Sequence, residues 1–562
     1  MNADALTCQA LLNCLIREVS EPEQQTWHDG GRLFIRLARS GTLLRAGVPR
    51  QPAGTGPRPS GEPEVCSGRS WRPIAWEQLA ELIAAELTLA TGVSNEEFAG
   101  QVRASHAALT AITQARAGHQ APAETPDVAR FLASEQALVA GHRFHPAPKA
   151  RPGAPGEWLR YAPEAGGRFP LRFLGVRDDV LAEEGDTTAL DRIGGPAVPA
   201  GYRLLPAHPW QLRLLAGRPW FRAALDRGLL VDLGEGDRQV AATSSVRTVY
   251  EPRADVFAKF SLNVRLTNCV RKSAWYELAG SVALTRLLTG VLAEVTGRAP
   301  GAVLLGEPGY RTVALASREA YEGLAVIVRD GLRPRIAPGV TPLLAAALTE
   351  PHGQFFAGRP AGWLLGWWEA YLRLIVPPVI DLFFRHGVVL EPHLQNVLAG
   401  VDDADRPVQM IFRDLEGVKL VTGRHEALLA SLPPGVAAGL AYDSRRGWDR
   451  VAYCLFVNHL AEVAAAIAAH TDAPGVGQGA AAGHGAGSDA GRCAEAGLWR
   501  LARDVLTTAA RDHGWPPELR AVLAGVPLPG KANLRARWAR SADRDAGYVP
   551  VPNPLGARHD GD

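Results

Sequence analysis

The stretch GVVLEPHLQNVLAGVDDADRPVQMIFRDLEGVK, Gly387 to Lys419, decides how the rest of the chain is read. A short apolar run, Val388 to Leu390, leads into Glu391-Pro392-His393-Leu394-Gln395-Asn396. Val397 to Ala399 reads as a strand, Gly400 to Pro407 as a turn rich in Gly, Asp and Pro, and Val408 to Phe412 as the returning strand. A two-strand return brings its ends together, which sets His393, Gln395 and Asn396 beside Arg413, Asp414 and Glu416. An Asn and an Asp at a hairpin mouth supply hard oxygen ligands for Mg²⁺ and leave room for water and phosphate. A hairpin that merely has polar ends is the competing reading of this stretch alone.

At 562 residues the chain is long enough for two or three domains, each with its own core. It is 47% hydrophobic and 21% charged, as soluble globular proteins are, and its net charge of +2 gives no reason to invoke nucleic acid or an acidic membrane surface. Cys8, Cys14, Cys66, Cys269, Cys454 and Cys493 are scattered with no CxxC pair. That predicts neither a disulfide framework nor a zinc site and fits a reducing cytoplasm. The opening MNADALTCQALLNCLIREVSEP lacks a basic region ahead of its apolar stretch and reads as an amphipathic helix, not a signal peptide. Trp363 to Phe384 is interrupted by Glu369, Arg373, Asp381 and two prolines, so no membrane span is expected there.

Upstream of the hairpin, residues 1–45 read as a helix followed by the strand-like LFIRLA, and Gly47 to Arg69 as an exposed loop. Trp76 to Ala117 has helical periodicity, and residues 126–140 read as a helix capped by Gly141. Next come His142, Arg143, His145, Lys149 and Arg151, stiffened by Pro146 and Pro148, which suit either an anion cradle or a solvated basic loop. His208 opens a helix, where a histidine is usually structural.

Thr243-Ser244-Ser245-Val246-Arg247-Thr248 groups hydroxyls with an arginine fork, a set that suits phosphate. Val256 to Thr267 alternates, with Phe257, Lys259, Ser261, Asn263, Arg265 and Thr267 on one face and apolar residues on the other. This predicts a half-buried strand of an antiparallel sheet whose polar face lines a cleft. Lys259 and Thr267 would lie roughly 26 Å apart along it, at opposite ends of a bound ligand. Thr267-Asn268 reads as a helix start with Arg271 in its first turn, where free N–H groups and the guanidinium favour a carboxylate.

Residues 300–335 read as strands extending the same sheet, and Pro342 to Arg385 as a Trp-rich core helix. Further helices are expected near 425–432, 447–470, 493–512 and 516–524. Residues 471–492, mostly Gly and Ala, read as a disordered insertion.

Taken in order, SSVRT (Ser244–Thr248), Lys259 twelve residues after Arg247, TNCVR (Thr267–Arg271), EPHLQN (Glu391–Asn396) and RDLEG (Arg413–Gly417) resemble the IucA/IucC family of siderophore synthetases, which work independently of nonribosomal peptide synthetases. EQALVAGHRFHPAPKAR, HPWQ and the Lys531 region fall in the family's order, so the resemblance runs from about residue 130 to about residue 555. It implies an α+β, cupped-hand fold: a helical thumb over 1–125, antiparallel-sheet fingers over 126–340 and a mainly helical palm over 341–562. It also implies the chemistry. A carboxylic acid, citrate or a citryl or succinyl derivative, attacks the α-phosphate of ATP to give an acyl-adenylate and pyrophosphate. An amine or hydroxylated polyamine then displaces AMP and forms an amide.

At matching positions the resemblance assigns Ser245, Arg247, Thr248 and Lys259 to the nucleotide's phosphates. It gives Thr267, Arg271 and His393 to the carboxylate, with His142, His145 and Lys149 as further candidates. Gln395, Asn396 and Asp414 go to nucleotide and Mg²⁺, and Lys259, Arg271 and His393 to the reacting centre. Arg143 stands where the family usually has proline, and the 471–492 insertion is atypical. Members are often homodimers, although nothing in this sequence marks an interface. Two rivals stay open: a phosphotransferase, which would release ADP but lacks a GxGxxG loop and an HRD triplet here, and a binding protein that consumes no ATP.

Overall fold

The computed structural model describes residues 2–48, 54–118, 124–266, 269–350, 353–471, 486–541 and 546–556. Asn2 accepts a hydrogen bond from the Ala5 N–H at 2.9 Å and caps the first helix, Ala3–Leu15, which runs into a wholly buried π turn, Ile16–Ser20. LFIRLA supplies the second strand of a five-stranded antiparallel sheet: Thr26–Asp29, Arg32–Arg36, Leu43–Gly47, Ser60–Ser67 and Ser70–Pro73, paired in sequence order. Leu33, Ile35, Leu44, Ala46 and Val65 share the face that packs on Leu11, Leu15 and Ile83.

Two expectations change here. The thumb is a helix-backed sheet and not purely helical, and the presumed loop from Gly47 to Arg69 contains the strand Ser60–Ser67, because Pro63 and Val65 alternate into the core. The predicted helix up to residue 140 also ends early. Pro126–Glu135 is helical, and Gly141, at φ +75°, caps nothing. Its role is clearance, since a Cβ there would meet Lys149 Cε at 2.8 Å.

The fingers carry an eight-stranded antiparallel sheet, ordered Leu181–Gly185, Gly309–Val313, Val326–Arg329, Val256–Phe260, Thr248–Glu251, Leu230–Ala242, Arg168–Arg177, Tyr202–Ala207. The alternating stretch is shorter and more deeply placed than predicted. Only Val256–Phe260 is strand, and all five residues are buried. Val256, Ala258 and Phe260 face the fingers core. Phe257, which breaks the polar pattern, packs with Tyr250, Phe131, Leu398 and Ile411. The polar face is therefore the contact with the palm hairpin and not a solvated cleft wall.

Arg265–Leu266 pairs with Cys269–Val270, and the next helix, Trp275–Arg298, starts after Ala274. Arg271 thus lies ahead of that helix and not in its first turn, while Thr267 falls outside the described residues. Of the strands predicted over 300–335, Gly309–Val313 and Val326–Arg329 do extend this sheet. Ala302–Leu304 instead pairs in parallel with Pro407–Phe412 in a second sheet, and Arg318–Gly323 is helical.

That second sheet holds the predicted hairpin. Val397–Val401 and Pro407–Phe412 are antiparallel with Val397 opposite Phe412, and Thr341–Leu344 pairs on the outer side of Val397–Val401. Thr341–Leu344 is a strand where helix was expected, and the Trp-rich helix is Ala361–Phe384, with Trp367 and Trp368 buried in the palm core. Leu284, Leu288 and Val295 of Trp275–Arg298 join that same core, while Leu534 and Trp538 from the tail pack into the thumb.

Helix resumes at Ala486, not at residue 493, so the end of the presumed insertion is helical; residues 472–485 lie outside the described residues. Among the described helices, Trp275–Arg298 and Ser444–His470 are long and apolar enough to cross a membrane. The second is mostly buried in the palm core, which accounts for its composition.

Candidate active site

The fingers sheet and the palm hairpin meet through charges. Lys259 sits opposite Thr248 on one neighbouring strand and Ile327 on the other, and Arg329 sits opposite Phe257, so both cations project from the face that meets the hairpin. The Lys259 ammonium is wholly buried, 2.5 Å from Asp414 Oδ1, 3.1 Å from Glu416 Oε2 and 3.6 Å from Glu307 Oε1. Arg329 binds Glu307 at 2.7 Å and lies 3.5 Å from Asp414. Arg247 pairs with Glu416 and reaches Ser273 Oγ at 3.1 Å. Three cations thus face three carboxylates.

Burial alone would raise the carboxyl groups. Instead Lys259, Arg329 and Arg247 hold Asp414 well below the usual carboxylate range, and Arg247 and Lys259 hold Glu416 down at about 2. Asp414 also adopts φ +73°, a backbone state rare outside glycine and asparagine, at the point where the hairpin leaves its second strand.

The hairpin mouth is closed as the sequence predicts. The Arg413 N–H donates to the Asn396 carbonyl at 3.0 Å, and the Arg413 guanidinium to the Gln395 carbonyl at 2.9 Å. The Gln395 amide reaches across to the Ser244 carbonyl at 3.0 Å, which ties the hairpin to the SSVRT turn. Ser245 Oγ accepts the Thr248 N–H at 3.1 Å and shapes that turn, with Val246 at φ +67°. Asn396 donates its Nδ2 to the Glu391 carbonyl at 3.3 Å. His393 is half-buried, and desolvation lowers its pKa against the opposing pull of Glu391 and Asp414.

Arg271 is locked in place by its backbone. Its carbonyl accepts from the Leu262 N–H at 2.9 Å and from Arg247 Nη1 at 3.3 Å. It therefore borders the phosphate-type cations. The N-terminus of Trp275–Arg298, expected to hold substrate, is capped internally: Glu277 accepts the Ala274 N–H at 2.7 Å and Glu322 the Trp275 N–H at 3.2 Å. Lys149 also leaves the candidate set, because its ammonium is buried against Glu164, which Arg151 shares at 2.8 Å. His142 and His145 each spend Nδ1 on a backbone N–H, of Phe144 and Ala147. The cradle reading of this loop therefore gives way to a structural one at Lys149 and Arg151. His208 is structural as expected, accepting the Trp210 N–H.

Sequence reasoning missed Glu135, Glu307 and Arg329. Glu135 pairs with Arg413 and accepts the Ser244 N–H at 3.0 Å, and thereby anchors both motifs. Arg329-Asp330 ends an apolar strand as Arg413-Asp414 does, and a charge continuous with an apolar run was the signal available. Gly417 lets Glu391 approach, since a Cβ there would meet its Oε2 at 2.0 Å. Among the described residues, no group of three or more His, Cys, Asp and Glu side chains could hold a metal by itself. A cavity of about 610 Å³ opens elsewhere, around Asp381, but Arg298 and Arg385 already saturate that carboxylate.

Comparisons with known proteins bear on the family and the fold. The profile of the IucA / IucC family matches residues 130–350, and that of a ferric iron reductase FhuF-like transporter matches 366–475. The L-2,3-diaminopropanoate–citrate ligase of Staphylococcus aureus is 30% identical, over 76% of this chain and 75% of its own. The chain belongs to the IucA/IucC family.

The rhizobactin siderophore biosynthesis protein RhbC of Rhizobium meliloti is 28% identical over 99% of this chain and 98% of its own. The ATP-bound aerobactin synthetase IucA of Klebsiella pneumoniae shares the fold, with a TM-score of 0.80 at 22% identity and 99% coverage of both chains. As a family member the chain is an ATP-dependent, amide-forming ligase of siderophore biosynthesis with the α+β synthetase architecture.

Proposed function

We propose that this ligase adenylates citrate or a citryl or succinyl derivative and passes the acyl group to an amine or hydroxylated polyamine, working on small molecules in the cytoplasm. The observation that carries the reading is the network of three cations and three carboxylates at the fingers–palm contact. Lys259 and Arg247 are ion-paired with Asp414 and Glu416. A triphosphate offers these cations a stronger partner, and Ser245 and Thr248 sit on the turn beside them. The carboxylates they release suit Mg²⁺. Asp414 Oδ1 and Glu416 Oε2 already converge on one cation, the Lys259 ammonium, and together with the carboxamide oxygen of Asn396 they would supply hard oxygens to a metal and leave positions for water and phosphate. Bound there, Mg²⁺ would neutralise the phosphate oxygens.

This chain's own residues do the rest. Arg271 and His393 hold the acid's carboxylate beside Arg247, and one carboxylate oxygen forms the bond to the α-phosphorus as the bond to pyrophosphate breaks. Negative charge building on the α-phosphoryl oxygens is met by Lys259 and Arg247, which are positioned before the step. The amine nitrogen then bonds to the acyl carbon, AMP leaves with the shared oxygen, and the amine's proton passes to solvent.

An acid-by-amine matrix reading nucleotide products and product mass tests this. AMP formation that requires a carboxylic acid, with amide product, is expected. ADP as the sole nucleotide product would overturn it, and nucleotide binding without turnover of any pair would favour a binding protein.

A further inference from the structure

His393 is aimed by its backbone. Among the described residues no protein group hydrogen-bonds its ring, whereas the chain is pinned on both sides of it. The Pro392 carbonyl accepts from His459 Nδ1 at 2.7 Å, and the Leu394 N–H donates to Asn458 Oδ1 at 3.3 Å. The His393 carbonyl itself accepts the Asn396 N–H at 2.8 Å. The pyrrolidine ring of Pro392 locks that residue's φ, so holding its carbonyl also sets the direction in which the chain enters His393.

The two side chains that grip this backbone are neighbours in sequence and come from one element. Tyr453–Leu460 is a π-helical segment between the α-helical stretches Ser444–Ala452 and Ala461–Thr471. Such segments are rare and are found frequently at functional sites. The His459 imidazole is wholly buried, and burial pushes its pKa down to about 3, so it is neutral. A carbonyl only accepts, so the proton sits on Nδ1, and Nε2 accepts from the hydroxyl of Tyr371 on the Trp-rich helix. Tyr371 thereby fixes the tautomer that donates to Pro392. Asn458 is oriented in a similar way: its Nδ2 donates to the Tyr453 hydroxyl at 3.4 Å, which turns Oδ1 toward Leu394.

We infer that Asn458 and His459, with Tyr371 behind them, are positioning residues for adenylation. They hold Pro392 to Leu394 so that the His393 imidazole stands ready for the acid's carboxylate before the acid arrives. The inference rests on the reading above that His393 holds that carboxylate. It gives this palm helix a part in the reaction beyond its place in the core.

AMP formation by the full chain, followed in single turnover so that slow variants stay measurable, tests it with citrate as the probe acid. Asn458→Leu and His459→Phe remove the hydrogen bonds at similar volume; each should lower kcat/KM for citrate about 10–100-fold, with the KM for ATP within about twofold, as displacement of a binding group predicts. Asn458→Asp keeps an oxygen for the Leu394 N–H and His459→Asn a donor near Nδ1, so each should recover kcat/KM to within about fivefold of wild type. In a His393→Ala background, Asn458→Leu and His459→Phe should each cost no more than about a further twofold, because residues that act through one another are not additive. A full additional loss in that background, or an equal loss toward citrate and ATP, marks residues that only hold the fold and would overturn the inference. So would wild-type citrate dependence in the folded single variants. Unchanged citrate dependence in His393→Ala alone would instead sink the reading of His393 on which the inference rests. Should the variants not fold, or citrate give no AMP, hydrogen exchange in the ligand-free wild-type chain decides. Protection of the Leu394 amide supports the preformed clamp, and free exchange there overturns it.

Discussion

With its ammonium wholly buried among Asp414, Glu416 and Glu307, Lys259 is both a site residue and part of what holds fingers to palm. Lys259→Ala should slow adenylation by about 10²–10³-fold, the cost of losing a fixed charge at a developing anion. It should also destabilise the fold by about 3 kcal/mol or more, because three carboxylates lose their shared cation. Urea melts and AMP release on the same preparation check both effects, and near-normal turnover would remove Lys259 from the site. Arg271→Lys retains the charge and loses the planar fork. Its KM for the acid should rise about tenfold, roughly the worth of one charge-assisted hydrogen bond, with the KM for ATP within a few-fold. The motif residues were legible because their chemistry is local. The fate of Lys149 was not, because its partner Glu164 lies outside the motif and nothing in the basic run marks it.

At the scale of elements, the hairpin Val397–Val401 with Pro407–Phe412 was readable because its turn chemistry and strand composition are adjacent in sequence. Val256–Phe260 was readable only in part. Alternation separates apolar from polar residues, but it cannot tell a solvated face from one buried as ion pairs against a hairpin 155 residues further on. The parallel pairing of Ala302–Leu304 with Pro407–Phe412 depends on a distant partner and left no local mark, whereas Ser60–Ser67 pairs locally with Ser70–Pro73 and was masked by the Pro- and Gly-rich composition around it. Residues 472–485 lie outside the described residues, and their composition is mostly Gly and Ala. Replacing 472–485 with a short Gly/Ser linker should change Tm by no more than a few degrees and leave AMP release intact. Extending the replacement to residue 492 cuts into the helix Ala486–Asp512 and should lower Tm further. Equal effects of the two replacements in differential scanning calorimetry would contradict this.

For the whole molecule, buried titratable groups set the pH range of stability. Glu18, Glu277 and Glu350 are pushed up to about 7 by burial, so their contribution is full below pH 4.5 and is lost as pH rises through 7. His142, His208 and His459 are pushed down to about 3 by burial; their contribution is full above pH 6.5 and is lost as pH falls toward 3. Glu164, Glu416 and Glu462 are held at about 2 by their cations, a contribution present above pH 4.5 and lost as pH falls through 2. The first two sets oppose each other between pH 4.5 and 6.5, so stability there should be nearly flat. Below pH 4.5 the last two sets act together, and stability should fall by several kcal/mol per pH unit. Urea midpoints at pH 7.5, 5.5 and 4 check this, and a steady loss beginning at pH 6.5 would contradict it.

The central claim is that a carboxylate oxygen attacks the α-phosphorus at the fingers–palm contact. Turnover with acid labelled with ¹⁸O in its carboxylates, followed by mass spectrometry of the phosphorus-containing products, tests it most directly. One ¹⁸O transferred into AMP, with unlabelled pyrophosphate, is the predicted result. Label in inorganic phosphate together with ADP, or AMP free of label, would contradict the account.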